Sequence, residues 1–229
     1  MTRDDRAVAL RCTALHKDHG EGRGLRSVDL EVPAGQCVAI VGHNGSGKTT
    51  LLRIAAGLGE ATSGEVSVFG TPAGDLAARA AVAYVGDQPT FYDDLTLGEH
   101  LRFVGGLHGA EPDEDRVDRL LTTLGLVPRA DDLPAHFSRG LRQKAALALA
   151  LARPFRLLLI DEPFVGLDAS GRQALLELIG EARAGGATVI MATHDLGLAG
   201  TAQRVVVLAE GSIVHDGTPD DLGAFMGPL

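Results

Sequence analysis

Residues 37–58 read CVAIVGHNGSGKTTLLRIAAGL, an apolar run that breaks at Gly42, crosses a loop with Gly45 and Gly47, and resumes with Leu52, Ala55 and Ala56 at helical spacing. Cys37 to Val41 has the length and apolar character of a buried strand, and the helix stops at Gly57, a residue suited to the left-handed position that closes a helix. Within this strand–loop–helix unit, Gly42 to Thr49 spells GHNGSGKT, the spacing of a phosphate-binding loop. Gly42, His43, Asn44, Gly45, Ser46 and Gly47 bring backbone N–H groups around the phosphates of a nucleotide, and the helix entered through Thr50 points its positive end at them. Lys48 supplies a charge between the β- and γ-phosphates, and Thr49 a hydroxyl for Mg²⁺. Even in a chain with 30 glycines, chance yields this pattern in roughly one case in a hundred or fewer.

Outward from this unit the chain alternates strand and helix. Ala7 to His16 and Ser27 to Val32 read as strands before it, Glu65 to Phe69 and Ala81 to Val85 as strands after it. From Thr96 to Arg153 the pattern is helical. Thr96 and Glu99 form a capping-box pattern, Asp113 to Leu124 is amphipathic and ends at Gly125, and Ser138 caps an alanine-rich helix that stops before Pro154. LLLI (Leu157 to Ile160), ATVIMAT (Ala187 to Thr193) and VVVL (Val205 to Leu208) then read as strands, with a helix from about Ser170 to Ala184 between the first two. The rhythm is α/β with a parallel sheet. No repeat or low-complexity linker divides the 229 residues, so the expectation is one domain over 1–229, with a helical subdomain over about 90–153.

Composition narrows the partners. A net charge of −9 argues against electrostatic binding to nucleic acid or anionic lipid, and 4% aromatics with no Trp leaves little to stack on bases. The longest aliphatic stretch, Ala145 to Ala152, is far short of the ~20 residues that span a bilayer, and the N-terminus carries acids where a signal peptide is apolar. A soluble, intracellular chain is expected. Cys12 and Cys37, the two cysteines, sit among strand-like residues and read as buried reduced thiols.

LLLIDEP (Leu157 to Pro163) places two carboxylates at the end of an apolar strand, where the carboxyl ends of parallel strands meet a ligand crevice. Asp161 is placed to hold Mg²⁺ through its water shell, and Glu162 to orient and deprotonate an attacking water. His194 follows the strand ATVIMAT at the same edge, within reach of a γ-phosphate. Gln88 follows AVAYV and precedes the helical region, so it can touch Mg²⁺ or the attacking water and report this to that region.

With these motifs in order, the chain resembles the nucleotide-binding subunit of an ATP-binding cassette (ABC) transporter over nearly its whole length. GHNGSGKT matches the Walker A loop, Gln88 the Q-loop glutamine, LLLIDEP Walker B, Gly166 to Asp168 the D-loop, and His194 the switch histidine. The resemblance implies a P-loop NTPase (RecA-like) core with an antiparallel β subdomain and an inserted helical subdomain. It also implies ATP and Mg²⁺ as cofactors, and hydrolysis between two subunits that sandwich two ATP molecules head to tail. The second subunit is another copy or a homologous ATPase subunit, and the pair drives a separate transmembrane permease from the cytoplasmic face of the cell membrane.

The family signature, usually LSGGQ, appears as FSRGL, Phe137 to Leu141. Ser138 keeps a hydroxyl and Gly140 lets backbone approach, so Ser138, Arg139 and Gly140 are expected to face the ATP held by the partner subunit. With LRQK after it, SRG resembles the signature of some exporter subunits with a separate permease. His19 stands where the family has an aromatic residue that stacks on adenine, in a segment with neither Tyr nor Phe. Two other functions stay in view. A soluble cassette ATPase working on ribosomes or DNA carries tandem cassettes or long coiled-coil insertions in the family, and a regulatory subunit that binds ATP without turnover requires a lost catalytic residue.

Overall fold

The computed structural model describes residues 8–20, 22–107 and 113–222. Strands β1 (Val8–Asp18), β2 (Gly24–Pro33), β4 (Ser63–Val68) and β5 (Thr71–Pro72) form an antiparallel sheet in the order β2-β1-β4-β5. The second sheet holds β3 (Cys37–Val41), β6 (Val82–Val85), β7 (Leu157–Asp161), β8 (Thr188–Thr193), β9 (Arg204–Ala209) and β10 (Ser212–Gly217). Its order is β10-β9-β3-β8-β7-β6, parallel except for β10, which returns antiparallel along β9.

Every residue of β3, β7 and β8 is buried, which is why these segments are unbroken apolar runs rather than alternating ones. The pleat divides each strand between two cores. Cys37, Ala39, Val41, Ile160 and Met191 pack on the helical side, whereas Val38, Ile40, Leu159 and Ile190 pack towards the antiparallel sheet. Helix α1 (Lys48–Ala55) lies in the second layer, with Leu51, Leu52 and Ile54 buried. Both cysteines are buried free thiols, and burial together with the charge of Asp29 pushes the Cys12 thiol up to about 12.

Helices α3 (Leu97–Leu107), α4 (Glu114–Thr123) and α5 (Arg139–Leu151) lie between β6 and β7 in the chain. The capping box expected at Thr96 forms, and Asp113, expected only as the start of an amphipathic segment, caps α4. The Thr96 N–H donates to Glu99 at 2.8 Å while the Glu99 N–H donates to the Thr96 hydroxyl at 3.2 Å, and Asp113 accepts from the Arg116 N–H at 3.1 Å. Helix α6 (Ala169–Ala184) and the short α7 (Leu196–Ala199) complete the covering layer. Among the described residues no helix is long and apolar enough to cross a membrane.

The strand expected from Ala81 begins at Val82, because Leu76–Ala81 forms a short helix, α2. Arg153, buried just beyond α5, holds this junction. Its guanidinium donates to the carbonyls of Ala80 (3.1 Å), Pro154 (3.3 Å) and Val82, without a carboxylate partner among the described residues. It thereby ties the end of α5 to the strand from which Gln88 emerges. Arg153→Ala removes charged hydrogen bonds and strands buried carbonyls, so unfolding free energy by urea titration should fall by about 1.5–3 kcal/mol.

Candidate active site

The loop between β3 and α1 brings backbone around a small concavity. Gly47 caps α1 with φ +109°, and an added Cβ there would sit 2.6 Å from Leu25 Cδ2, so conformation and space both require glycine. A Cβ at Gly42 would strike the Leu208 carbonyl. Lys48 is buried, its Nζ donating to the Gly42 carbonyl at 2.7 Å and the His43 carbonyl at 3.3 Å. His43, Asn44 and Gly45 are exposed around the rim, with Thr49 exposed and Thr50 half-buried at the start of α1.

Three neighbouring strand ends converge here. Glu162, just past β7, puts Oε1 3.5 Å from Lys48 Nζ and Oε2 2.8 Å from His194 Nδ1, the residue just past β8. An imidazole N–H at Nδ1 donates to the carboxylate. Glu162 itself has φ +48°, a left-handed conformation uncommon for a residue with a Cβ. Its N–H donates to the Ala192 carbonyl at 2.8 Å, and its carbonyl accepts from Val165 at 3.1 Å, which holds that conformation in place.

Asp161 is wholly buried, and among the described residues neither carboxylate oxygen has a hydrogen-bond partner. Burial pushes its carboxyl above the usual carboxylate range; the nearby Thr49 hydroxyl pulls the other way, the charges of Asp87 and Glu162 add to the rise, and Lys48 opposes it. A buried, unpartnered carboxylate beside a hydroxyl fits a hard divalent cation with oxygen ligands.

The remaining expected residues occupy three places. His19 is exposed beside the loop, Nε2 sharing a 3.3 Å hydrogen bond with the Thr50 hydroxyl. Gln88 is exposed and lines a groove of about 530 Å³ with Arg53, Tyr84, Phe91 and Arg153. Ser138 caps α5 by accepting from the Leu141 N–H at 3.4 Å, and Gly140 packs so closely on the D-loop that a Cβ would lie 2.5 Å from the Gly166 carbonyl. Among the described residues no hydrogen bond or ion pair joins Ser138, Arg139 or Gly140 to the phosphate loop. Asp168 caps α6 by accepting from the Gly171 N–H at 2.8 Å and pairs with Lys144 at 3.2 Å, contacts that hold its carboxyl below the usual range. Lys144 was not singled out in the sequence. It lies on another helix, and no spacing rule joins it to Asp168.

A phosphate loop, a strand-end acid pair and a histidine from the strand between them define a P-loop nucleotide hydrolase. Residues 25–165 match the family described as ABC transporter. The SkfA peptide export ATP-binding protein SkfE of Bacillus subtilis (strain 168) is 34% identical over 205 residues, 88% of this chain and 86% of the relative. The aliphatic sulfonates import ATP-binding protein SsuB 2 of Pseudomonas aeruginosa (strain UCBPP-PA14) is 39% identical over 218 residues, 92% and 76% of the two chains. The structure of the ATP-binding cassette MJ0796, dimeric in a post-hydrolysis state bound to ADP and Pi, superposes with a TM-score of 0.83 at 27% identity, covering 92% of this chain and 98% of that one. The chain belongs to the ABC transporter family, as an ATP-binding, ATP-hydrolysing subunit.

The buried Asp161 charge has a measurable consequence. An acid whose pKa is raised by folding ionises first in the unfolded chain, so it costs stability as pH climbs from the ordinary 3.8 through the folded value, and fully above it. Asp161→Asn should raise the melting temperature of the nucleotide-free protein at neutral pH, at about 2–4 °C per kcal/mol gained. Calorimetry should show that advantage shrinking to nothing as pH falls towards 3.8.

Proposed function

We propose that the loop Gly42–Thr50 holds the ATP phosphates, that Thr49, Asp161 and Gln88 hold Mg²⁺, and that Glu162 and His194 carry the hydrolytic chemistry. The observation that carries this reading is Glu162 spanning Lys48 and His194 at 3.5 and 2.8 Å, one residue after the buried Asp161. When bound, Mg²⁺ neutralises charge on the β- and γ-phosphates. Lys48 exchanges the Gly42 and His43 carbonyls for phosphate oxygens. Glu162 accepts a proton from the attacking water as its oxygen bonds to the γ-phosphorus and the bond to the ADP oxygen breaks. His194, tethered to the carboxylate, orients that group and the γ-phosphate. Ser138, Arg139 and Gly140 act on the ATP of the partner subunit, beside its D-loop Asp168.

The dimer powers a separate permease from the inner face of the cell membrane. The groove beside Gln88 supports this role, since Leu58, Leu76 and Leu107 are exposed along it and a neighbouring cleft, next to Arg53, Arg79 and Arg153. Exposed apolar side chains gathered in one place mark a protein contact, and this one adjoins the residue that senses the nucleotide. The two relatives named above are an export and an import subunit.

Glu162→Gln should bind ATP and lose about 10²–10⁴-fold in turnover, accumulating as a dimer in gel filtration with Mg-ATP. A monomer with near wild-type hydrolysis contradicts the assigned role. His19, hydrogen-bonded beside the loop, offers a smaller flat face than a phenol, so it supplies only part of the ~1–3 kcal/mol that base stacking on an aromatic gives. In nucleotide titrations His19→Ala should weaken ATP and GTP together, and His19→Tyr should tighten ATP.

A further inference from the structure

Between Gln88 and α3 the chain is irregular, and residues 88–91 make no backbone–backbone hydrogen bond with any described residue. Two side chains hold this stretch instead. Arg142 donates to the Pro89 carbonyl at 3.4 Å, and the Tyr92 N–H donates to Nε2 of His100, on α3, at 2.9 Å. His100 is 3% exposed, with Phe91 edge-on to its ring at a centroid distance of 5.6 Å and Tyr92 tilted against it at 5.9 Å. Its Nδ1 lies 2.8 Å from the Thr96 carbonyl.

These partners fix the chemical form of the ring. A peptide N–H can only donate and a carbonyl can only accept, so Nδ1 carries the proton and Nε2 the lone pair. The imidazole is neutral and in one tautomer. A second proton, on Nε2, would point at the Tyr92 N–H, turn the acceptor into a donor and leave a buried charge among aromatic rings. Charged side chains come from each element around the ring: Glu99 and Arg102 on α3, Asp93 and Asp94 beside Tyr92, and Arg142 of α5 across Phe91. Among the described residues none of them hydrogen-bonds the imidazole.

We propose that His100 is a positioning residue for ATP hydrolysis: as a neutral ring it clasps the chain at Tyr92, and so sets where Gln88 stands at the site. Protonation of the ring opens the clasp and lowers turnover. This rests on the reading that Gln88 serves the Mg²⁺ site.

The test uses the full chain, with ATP turnover, the NMR shifts of the His100 ring nitrogens and solvent exchange of the Tyr92 amide followed against pH. The ring should show the Nδ1–H tautomer, and the Tyr92 amide should be protected until the ring protonates. His100→Leu, which fills the space and loses both bonds, should lower kcat about ten- to a hundredfold with the KM for ATP little changed. His100→Gln carries an amide oxygen that can stand in for Nε2, so it should keep most of the turnover at neutral pH and lose less of it than the parent on acidification. An Nε2–H tautomer, or a Tyr92 amide that exchanges freely at neutral pH, overturns the clasp. Should His100→Leu not fold, identical pH profiles for the parent and His100→Gln overturn the proposal. Gln88→Ala separates the proposal from the reading beneath it. If that variant hydrolyses ATP at the parental rate, the reading of Gln88 fails and the proposal with it; if it is impaired while His100→Leu is not, the role of His100 alone is overturned.

Discussion

The contacts of one carboxylate organise this molecule. Glu162 reaches Lys48 on one side and His194 on the other, and these residues belong to the loops after β7, β3 and β8. Since β8 lies between β3 and β7 in the sheet, the link spans three adjacent parallel strands at their carboxyl ends, the position where such sheets place ligands. The register fixes the convergence: Val41 pairs with Thr193, and Asp161 with Ala192. A one-residue slip in either pairing would turn alternate side chains into the wrong core and carry the acids away from the loop. The fully buried strands that flank β8 therefore secure the chemistry as well as the fold.

That arrangement stores unfavourable contacts at the site. Glu162 occupies a left-handed backbone conformation, and among the described residues the buried oxygens of Asp161 and Ser46 have no hydrogen-bond partner. Strained backbone and buried polar atoms without partners are features that gather where ligands act.

Much of this was legible in the sequence because it is local. The phosphate loop, its strand and its helix occupy one continuous segment, the caps at Thr96 and Ser138 are set by neighbours three residues on, and the acid pair directly follows an apolar run. What escaped reading is either weakly patterned or long-range. Strand β10, SIVHDG, is an edge strand with half-buried and exposed residues and no apolar run; α2 is six residues of mostly alanine, too short for a helical period to show. The Lys144–Asp168 pair and the bridging role of Glu162 depend on which segments the fold brings together. His194 could be placed at the ligand edge from its strand alone, but its 2.8 Å contact with Glu162 is a fact of the sheet order.

Close packing also joins the helical region to the core. Gly140 lies against the Gly166 carbonyl with no room for a methyl group, and Lys144 passes over Gly171 to reach Asp168, where an added Cβ would meet Lys144 Cε at 2.7 Å. An added methyl group at either glycine would therefore push α5 away from the turn that begins at the Val165–Glu162 hydrogen bond. At its other face the helical region meets the Gln88 segment through Arg142, which binds the Pro89 carbonyl. Two contacts, one to the segment after β6 and one to the turn after β7, thus join α5 to both sides of the acid pair.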